Sequence, residues 1–236
     1  MNTVLHGDCL KLLSSLPAQS VDFICIDPPY GITAPKWDSI VPFDKLWTEF
    51  NRIGKKGHVT AIFGCQPFTT KVISSNIEQF KYCWYWNKNQ GTNFFHAKRM
   101  PIRKVEEISI FGGKTYYPQI TDGHIPTNSA KGCSNGKAYF GTSTRNYEGG
   151  KTTRFPDNIL NFKCVDNYSR VHSSQKPVEL LEYLIRTYTN ENDIVLDCFA
   201  GSGSTLVAAK NMKRQYIGIE KEKEYYEICM NRLYNQ

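Results

Sequence analysis

The sequence predicts an α/β domain built on a mainly parallel sheet. Three observations carry that reading. Short apolar runs alternate with stretches of helical periodicity over most of the chain. Two of the runs end in an aspartate and then break, one at Pro-Pro and one at a glycine turn, as buried parallel strands do. Finally, 40% of the 236 residues are hydrophobic and 22% charged, enough for a real core.

In order, Thr3–His6 reads as a short strand. Asp8 opens an apolar-faced helix through Leu13, with its carboxylate near the helix N-terminus. Asp22–Asp27 is a nearly continuous apolar run stopped by Pro28-Pro29, and a helix is expected over Phe43–Ile53. Strand His58–Phe63, helix Pro67–Ile77 and strands Phe80–Trp86 and Glu106–Phe111 follow. From Gly112 to about Asp157 the pattern dissolves into Gly, Ser, Thr, Asn and Lys, a length normally functional or mobile. Alternation then resumes with helix Val178–Tyr188, strand Asp193–Asp197, helix Ser204–Met212, strand Gln215–Glu220 and helix Glu222–Leu233.

No apolar run reaches the ~20 residues of a membrane span, and the N-terminus lacks the pattern of a signal peptide. Eight cysteines stand singly, with no Cys-x-x-Cys pair, which argues against a disulfide framework and a zinc module. The expected compartment is reducing and cytoplasmic, with no metal and no membrane partner. Net charge is +7. Between Lys81 and Phe155 stand 12 basic and 4 acidic residues, so this segment holds the whole positive excess. That is the footprint of a polyanion-binding region, unless the lysines merely solvate a loop.

Asp197 is followed by Cys198-Phe199-Ala200-Gly201-Ser202-Gly203-Ser204-Thr205 and a helix, so the backbone there can approach a cofactor closely. The third glycine of a dinucleotide fingerprint is replaced by Leu206, which disfavours a pyrophosphate cofactor. Yet the next strand ends in Glu220, suited to ribose hydroxyls. A nucleoside cofactor fits both features. Asp27-Pro28-Pro29-Tyr30 sits at the end of another strand, where two prolines remove two backbone donors. A carboxylate beside a proline carbonyl is an acceptor-only pair, which suits an exocyclic –NH2. Tyr30 can stack on such a base, which must leave its duplex to reach a pocket.

Together these motifs resemble the permuted, β-group DNA amino-methyltransferases. His172-Ser173-Ser174-Gln175-Lys176-Pro177 is similar to the family segment holding the methionine end of S-adenosylmethionine, and His6-Gly7-Asp8 to that near its adenine. The resemblance implies a Rossmann-like methyltransferase fold, circularly permuted, with a seven-stranded sheet and an inserted target-recognition region. It implies a catalytic half over 1–112, a partly mobile recognition insert over 113–165 and a cofactor half over 166–236. Within the insert, the Gly-rich, apolar-poor composition of Gly113–Asp157 predicts mobility in the free protein and ordering on DNA. The strands at 80–86 and 106–111 become an antiparallel edge hairpin. Asp27, Pro28, Pro29 and Tyr30 become catalytic. Asp8, Asp27, His172, Ser174, Lys176, Asp197, Phe199, Gly201, Gly203, Thr205 and Glu220 would bind S-adenosylmethionine. Lys98, Arg99, Arg103, Lys104, Lys131, Lys137 and Arg145 would bind double-stranded DNA, and relatives in the group often form homodimers.

Adenine-N6 is the expected target, since N4 members more often carry Ser where Asp27 stands. Cytosine-N4 presents the same amine chemistry and stays open. RNA and protein-glutamine methylation use similar tetrapeptides, while a C5 enzyme needs a cysteine in a Pro-Cys setting. Cys65 follows glycine and Cys25 lies in a strand, so both read as core. From another class, a non-catalytic DNA-binding shell is opposed by the intact Asp27–Tyr30, Gly201 and Gly203.

Overall fold

The computed structural model describes residues 2–31, 40–128, 130–134, 143–147, 149–166, 168, 170–172 and 174–234; for 130–134 and 143–147 it describes the backbone alone. In chain order the elements are β1 (Asn2–His6), α1 (Cys9–Leu13), β2 (Val21–Ile26), α2 (Phe43–Ile53), β3 (Gly54–Gly64), α3 (Phe68–Ser75), β4 (Phe80–Thr92) and β5 (Arg103–Gly112). After β6 (Ala130–Ser134), β7 (Ser143–Tyr147) and β8 (Ile159–Asn161) come α4 (Val178–Tyr188), β9 (Ile194–Asp197), α5 (Ser204–Asn211), β10 (Gln215–Glu220) and α6 (Lys223–Tyr234).

Eight strands form the main sheet in the order β1-β10-β9-β2-β3-β5-β4-β8. The first five are mutually parallel, whereas β5 runs antiparallel to both β3 and β4. The sequence led us to expect seven. The addition is β8, three residues with one inward side chain, Leu160, too short to show a period. The expected hairpin of β4 and β5 is present, and its strands are longer than predicted.

Strand alternation distributes the core to both faces. In β2, Phe23 and Cys25 pack with Leu180, Leu184, Leu206 and Ala208 of α4 and α5. Ile24 and Ile26 pack the other way, with Leu13, Leu46, Phe50 and Val72 of α1, α2 and α3. That continuous burial is why β2 reads as an unbroken apolar run. On α4 the buried side chains Leu180, Leu181, Leu184, Ile185 and Tyr188 make a single stripe at helical spacing. Each such aliphatic side chain contributes roughly 1.5–3 kcal/mol by leaving water. No helix among the described residues is long and apolar enough to cross a membrane.

The chain divides into two compact units, one of 1–117 with 158–236 and one of Pro118–Asp157. The second is narrower than the 113–165 segment expected. Tyr117 is tied to the sheet unit by its N–H on Thr187 O (2.8 Å), and Trp86 Nε1 donates to Phe162 O at 2.8 Å. Within Pro118–Asp157, β6 and β7 pair antiparallel, and Thr121 bridges Arg154. Their Ser, Thr, Gly and Lys content hides this hairpin from any hydrophobic period.

Candidate active site

Strand β2 leads to β3 on one side of the sheet and β9 leads to β10 on the other, yet β2 and β9 are neighbours. The carboxyl ends of these two strands therefore flank a topological switch point, where open α/β sheets form a ligand crevice. Asp27 follows β2, Asp197 ends β9 and Glu220 ends β10. Three carboxylates thus converge on a single crevice.

The glycine loop is held by backbone. Phe199 N–H donates to Asp197 Oδ1 at 3.0 Å, and Ala200 N–H to Ile219 O at 3.0 Å. Gly201 N–H reaches Glu220 Oε2 at 2.6 Å, while Glu222 N–H takes Oε1 at 2.8 Å. Gly203 has φ +78°, and a side chain there would begin 2.5 Å from Cys229 Sγ, so the loop turns only with glycine. Behind it, Arg232 of α6 donates through Nη1 to Ser202 O and to the Ser202 and Ser204 hydroxyls. Burial pushes Asp197 up to about 7, against hydrogen bonds from Thr205 and Phe199 that pull it down. Burial raises Glu220 as well, opposed by its backbone donors.

Side chains hold the other corner. Tyr30 OH donates to Asp27 Oδ1 at 2.5 Å, and Lys176 Nζ donates to Oδ2 at 2.5 Å. Tyr30 stacks on Phe68 with ring centroids 4.8 Å apart, so its ring is already paired. Lys176 also stands 3.5 Å from Glu106 Oε2, a looser ion pair, and Glu106 Oε1 accepts from Lys88 Nζ at 2.8 Å. Burial disfavours the Lys176 ammonium, but Asp27 and Glu106 more than offset it, leaving its pKa above the ordinary lysine value. Burial likewise opposes the Glu106 carboxylate, and Lys176 and Lys88 reverse that, holding its pKa down.

A cleft of about 560 Å³ joins the corners, within the range of roughly 300–1,000 Å³ common for small-molecule sites. Asp8, Asp27, Pro28, Pro29, Tyr30, His172, Ser174, Lys176, Asp197, Phe199, Gly201, Thr205 and Glu220 all line it. Gly203 sits behind the wall against Cys229. Asp8 caps α1 through Lys11 N–H at 3.3 Å. Ser174 N–H donates to His172 Nδ1 at 3.1 Å; burial draws that imidazole's pKa below its usual value. Among the described side chains expected on DNA, Arg103 alone reaches the cleft; Lys98, Arg99 and Lys104 are exposed on or beside the β4–β5 tip. Lys137, Ser173 and the side chains of Lys131 and Arg145 lie outside the described residues.

Lys88, Glu106 and Arg232 escaped the sequence reading. The first two carried a signal: Trp84, Trp86 and Lys88 share the inward phase of β4, as Glu106, Ile108 and Ile110 share that of β5. A charge on the buried phase of a strand is the mark of a polar site.

Among known proteins, type II methyltransferase M1.MboII of Moraxella bovis is 29% identical over 254 residues, covering 95% of this chain and 94% of that one. The M1.HpyAVI–SAM complex superposes with a TM-score of 0.66 at 23% identity, over 99% of this chain and 100% of the other. The cytosine-N4-specific PvuII DNA methyltransferase gives 0.71 at 18%, over 98% and 86%. Residues 21–231 match the family model described as DNA methylase, and the chain therefore belongs to the N6/N4 DNA methylase family, whose members are S-adenosylmethionine-dependent methyltransferases.

Proposed function

We propose that this methyltransferase modifies the exocyclic N6 of adenine in duplex DNA. The observation that carries the reading is Asp27. It stands at the end of β2 with two prolines after it, and both of its oxygens are oriented by hydrogen bonds. The presence of Asp rather than Ser at this position supports adenine over cytosine.

The cleft suits S-adenosylmethionine. Gly201 has φ +50°, and the nearest atom to a side chain built there is His172 Nε2 at 3.8 Å, so the loop presents bare backbone to the crevice. Asp197 and Glu220 each spend lone pairs on N–H donors and keep others for hydroxyl groups. The cofactor supplies an electrophilic methyl group on a cationic sulfur. We assign the ribose hydroxyls to Glu220, the adenine end to Asp8 and the methionine end to the His172–Lys176 segment. Phe199, Gly201 and Thr205 complete that wall with Asp197, whose carboxyl the cofactor's cation would draw towards ionisation.

At the other corner the Asp27 carboxylate accepts hydrogen bonds from the target –NH2, aided by the Pro28 carbonyl. Accepting both amine protons withdraws the nitrogen lone pair from conjugation with the ring and makes it nucleophilic; once the methyl has moved from sulfur to nitrogen, the amine releases one proton by way of Asp27 to solvent. To accept those protons, Asp27 Oδ2 exchanges its Lys176 partner for the amine. Glu106 Oε2 lies close enough to Lys176 to take up the released ammonium. Tyr30 keeps Oδ1 fixed throughout, so one acceptor is preorganised before the target arrives.

Incubation with mixed-sequence DNA and isotopically labelled S-adenosylmethionine, followed by nucleoside mass spectrometry, tests the reading. Labelled N6-methyladenine is expected, absent with Asp27→Ala. Labelled N4-methylcytosine alone would reassign the base.

A further inference from the structure

The apolar surface of this protein has an anomaly at the mouth of the cleft. Thr92 and Arg103 face one another at the end of the β4–β5 ladder, and both line the cleft. The chain between them, Asn93 to Ile102, springs from the rim of the site. At its tip Phe95 is 100% exposed and Phe94 74%, with Met100 and Ile102 also exposed nearby.

This tip is a folded turn. Asn93 takes the left-handed conformation at φ 74°, and Phe94–His96 form a 3-10 turn. His96 N–H donates to Asn93 O, Ala97 N–H to Phe94 O, and Arg99 and Met100 N–H both to His96 O, at 2.8–3.0 Å. Ile102 packs over Gly91, where a side chain would begin 2.1 Å from its Cγ2. The four backbone bonds close the tip on itself, so the two rings are held outward by a built structure.

Two adjacent aromatic rings held in water lose the burial that fixes aromatic residues elsewhere. Charge identifies what covers them. From Asn93 to Lys104 the chain carries Lys98, Arg99, Arg103 and Lys104 with His96, and no acidic residue. Rings flanked by cations fit a surface of stacked bases between phosphates.

We propose that the tip is a wedge, with Phe95 and Phe94 entering the base stack of duplex DNA beside the nucleotide drawn into the cleft. The proposal rests on the DNA-methylating reading above and adds the part that holds the duplex open. Extruding a base leaves a gap in the stack and costs unstacking energy. An apolar ring at that step offsets the cost, as apolar wedges do in proteins that kink DNA. Lys98 and Arg99 would meet the adjacent phosphates.

The test needs no recognition sequence. Two short duplexes of arbitrary sequence, one intact and one with a single central abasic site, are titrated with the full chain by fluorescence anisotropy. The native protein should bind the abasic duplex about tenfold more tightly, because the ring enters a ready-made gap. The double variant Phe94→Ala/Phe95→Ala should bind both duplexes alike, with an unchanged salt slope and unchanged affinity for S-adenosylmethionine. Absence of a preference in the native protein, or its persistence in the variant, would overturn the wedge. So would a lower sedimentation mass of the variant, which would make the tip an interface between copies. Failure of the parent reading shows separately, as a native protein that leaves no labelled nucleoside.

Discussion

Around the glycine loop the carboxylates are met by backbone N–H groups: Asp197 by Phe199, two residues on, and Glu220 by Glu222 and Gly201. Around Asp27 they are met by charged side chains from other elements, Lys176 from 149 residues away and, on Glu106, Lys88 from the neighbouring strand. A backbone donor cannot leave and does not titrate, so the first corner suits a cofactor that must be gripped. An ammonium shared between two carboxylates can be displaced, so the second suits a target that must enter and depart. Holding and exchange are thereby built from different materials.

Asp27→Ala probes that division most severely. Methyl transfer should fall a hundredfold or more, ~3 kcal/mol, while S-adenosylmethionine affinity by calorimetry changes little. A variant that also lost the cofactor would merge the two corners into one. The converse substitution, Glu220→Ala, should weaken cofactor binding by ~2–3 kcal/mol, the worth of charged hydrogen bonds. Activity should partly return at high S-adenosylmethionine concentration; an unchanged dissociation constant would refute the ribose assignment.

Asp197 sharpens the gripping corner through pH. Its carboxyl, ordinarily near 3.8, is pushed up to about 7 by burial. The folded protein therefore holds a proton there that the unfolded chain releases, so this group's contribution to stability falls as pH rises across that window. Asp197→Asn cannot ionise. In urea unfolding without cofactor, the stability of the native protein relative to this variant should drop by ~3 kcal/mol from pH 4 to 7. A pH-independent difference would remove burial as the governing force at this residue.

The smallest expected effect falls on the exchanging corner. Glu106→Gln retains an acceptor for Lys88 but gives Lys176 no second carboxylate, so Asp27 is freed less readily. Turnover should decline about tenfold, ~1.4 kcal/mol, with cofactor affinity unchanged and Glu106→Asp restoring part of it. A matching loss of cofactor affinity would make Glu106 a structural ion-pair partner and no more.

The same division governs what could be read from the chain. Strand β2, the glycine loop and the Asp27–Tyr30 tetrapeptide are local patterns, in which neighbouring residues both make the turn and carry the chemistry. Lys88, Glu106 and Arg232 act through partners on other elements, and sequence distance hides such pairings. Even so, Lys88 and Glu106 betrayed themselves by lying on the inward phase of apolar strands. The β6–β7 hairpin gave no such hint, because its small polar residues carry no period, and β8 is too brief to carry one.

The pairing of β1 with β10, from Asn2 opposite Tyr216 to His6 opposite Glu220, bears on synthesis. Gly7 N–H also donates to Glu220 O at 2.9 Å. Strand β1 therefore waits for β10 to be synthesised, roughly 10–40 s at ordinary elongation rates of about 5–20 residues per second. Until then β1 is an unclaimed edge, open to pairing with another nascent chain. Closing that edge sets the backbone around Glu220, so this side of the cleft is finished only after β10 has emerged. On the assignment of Glu220 to the cofactor's ribose, a cell starved of S-adenosylmethionine would leave that late-formed seam without its clamp.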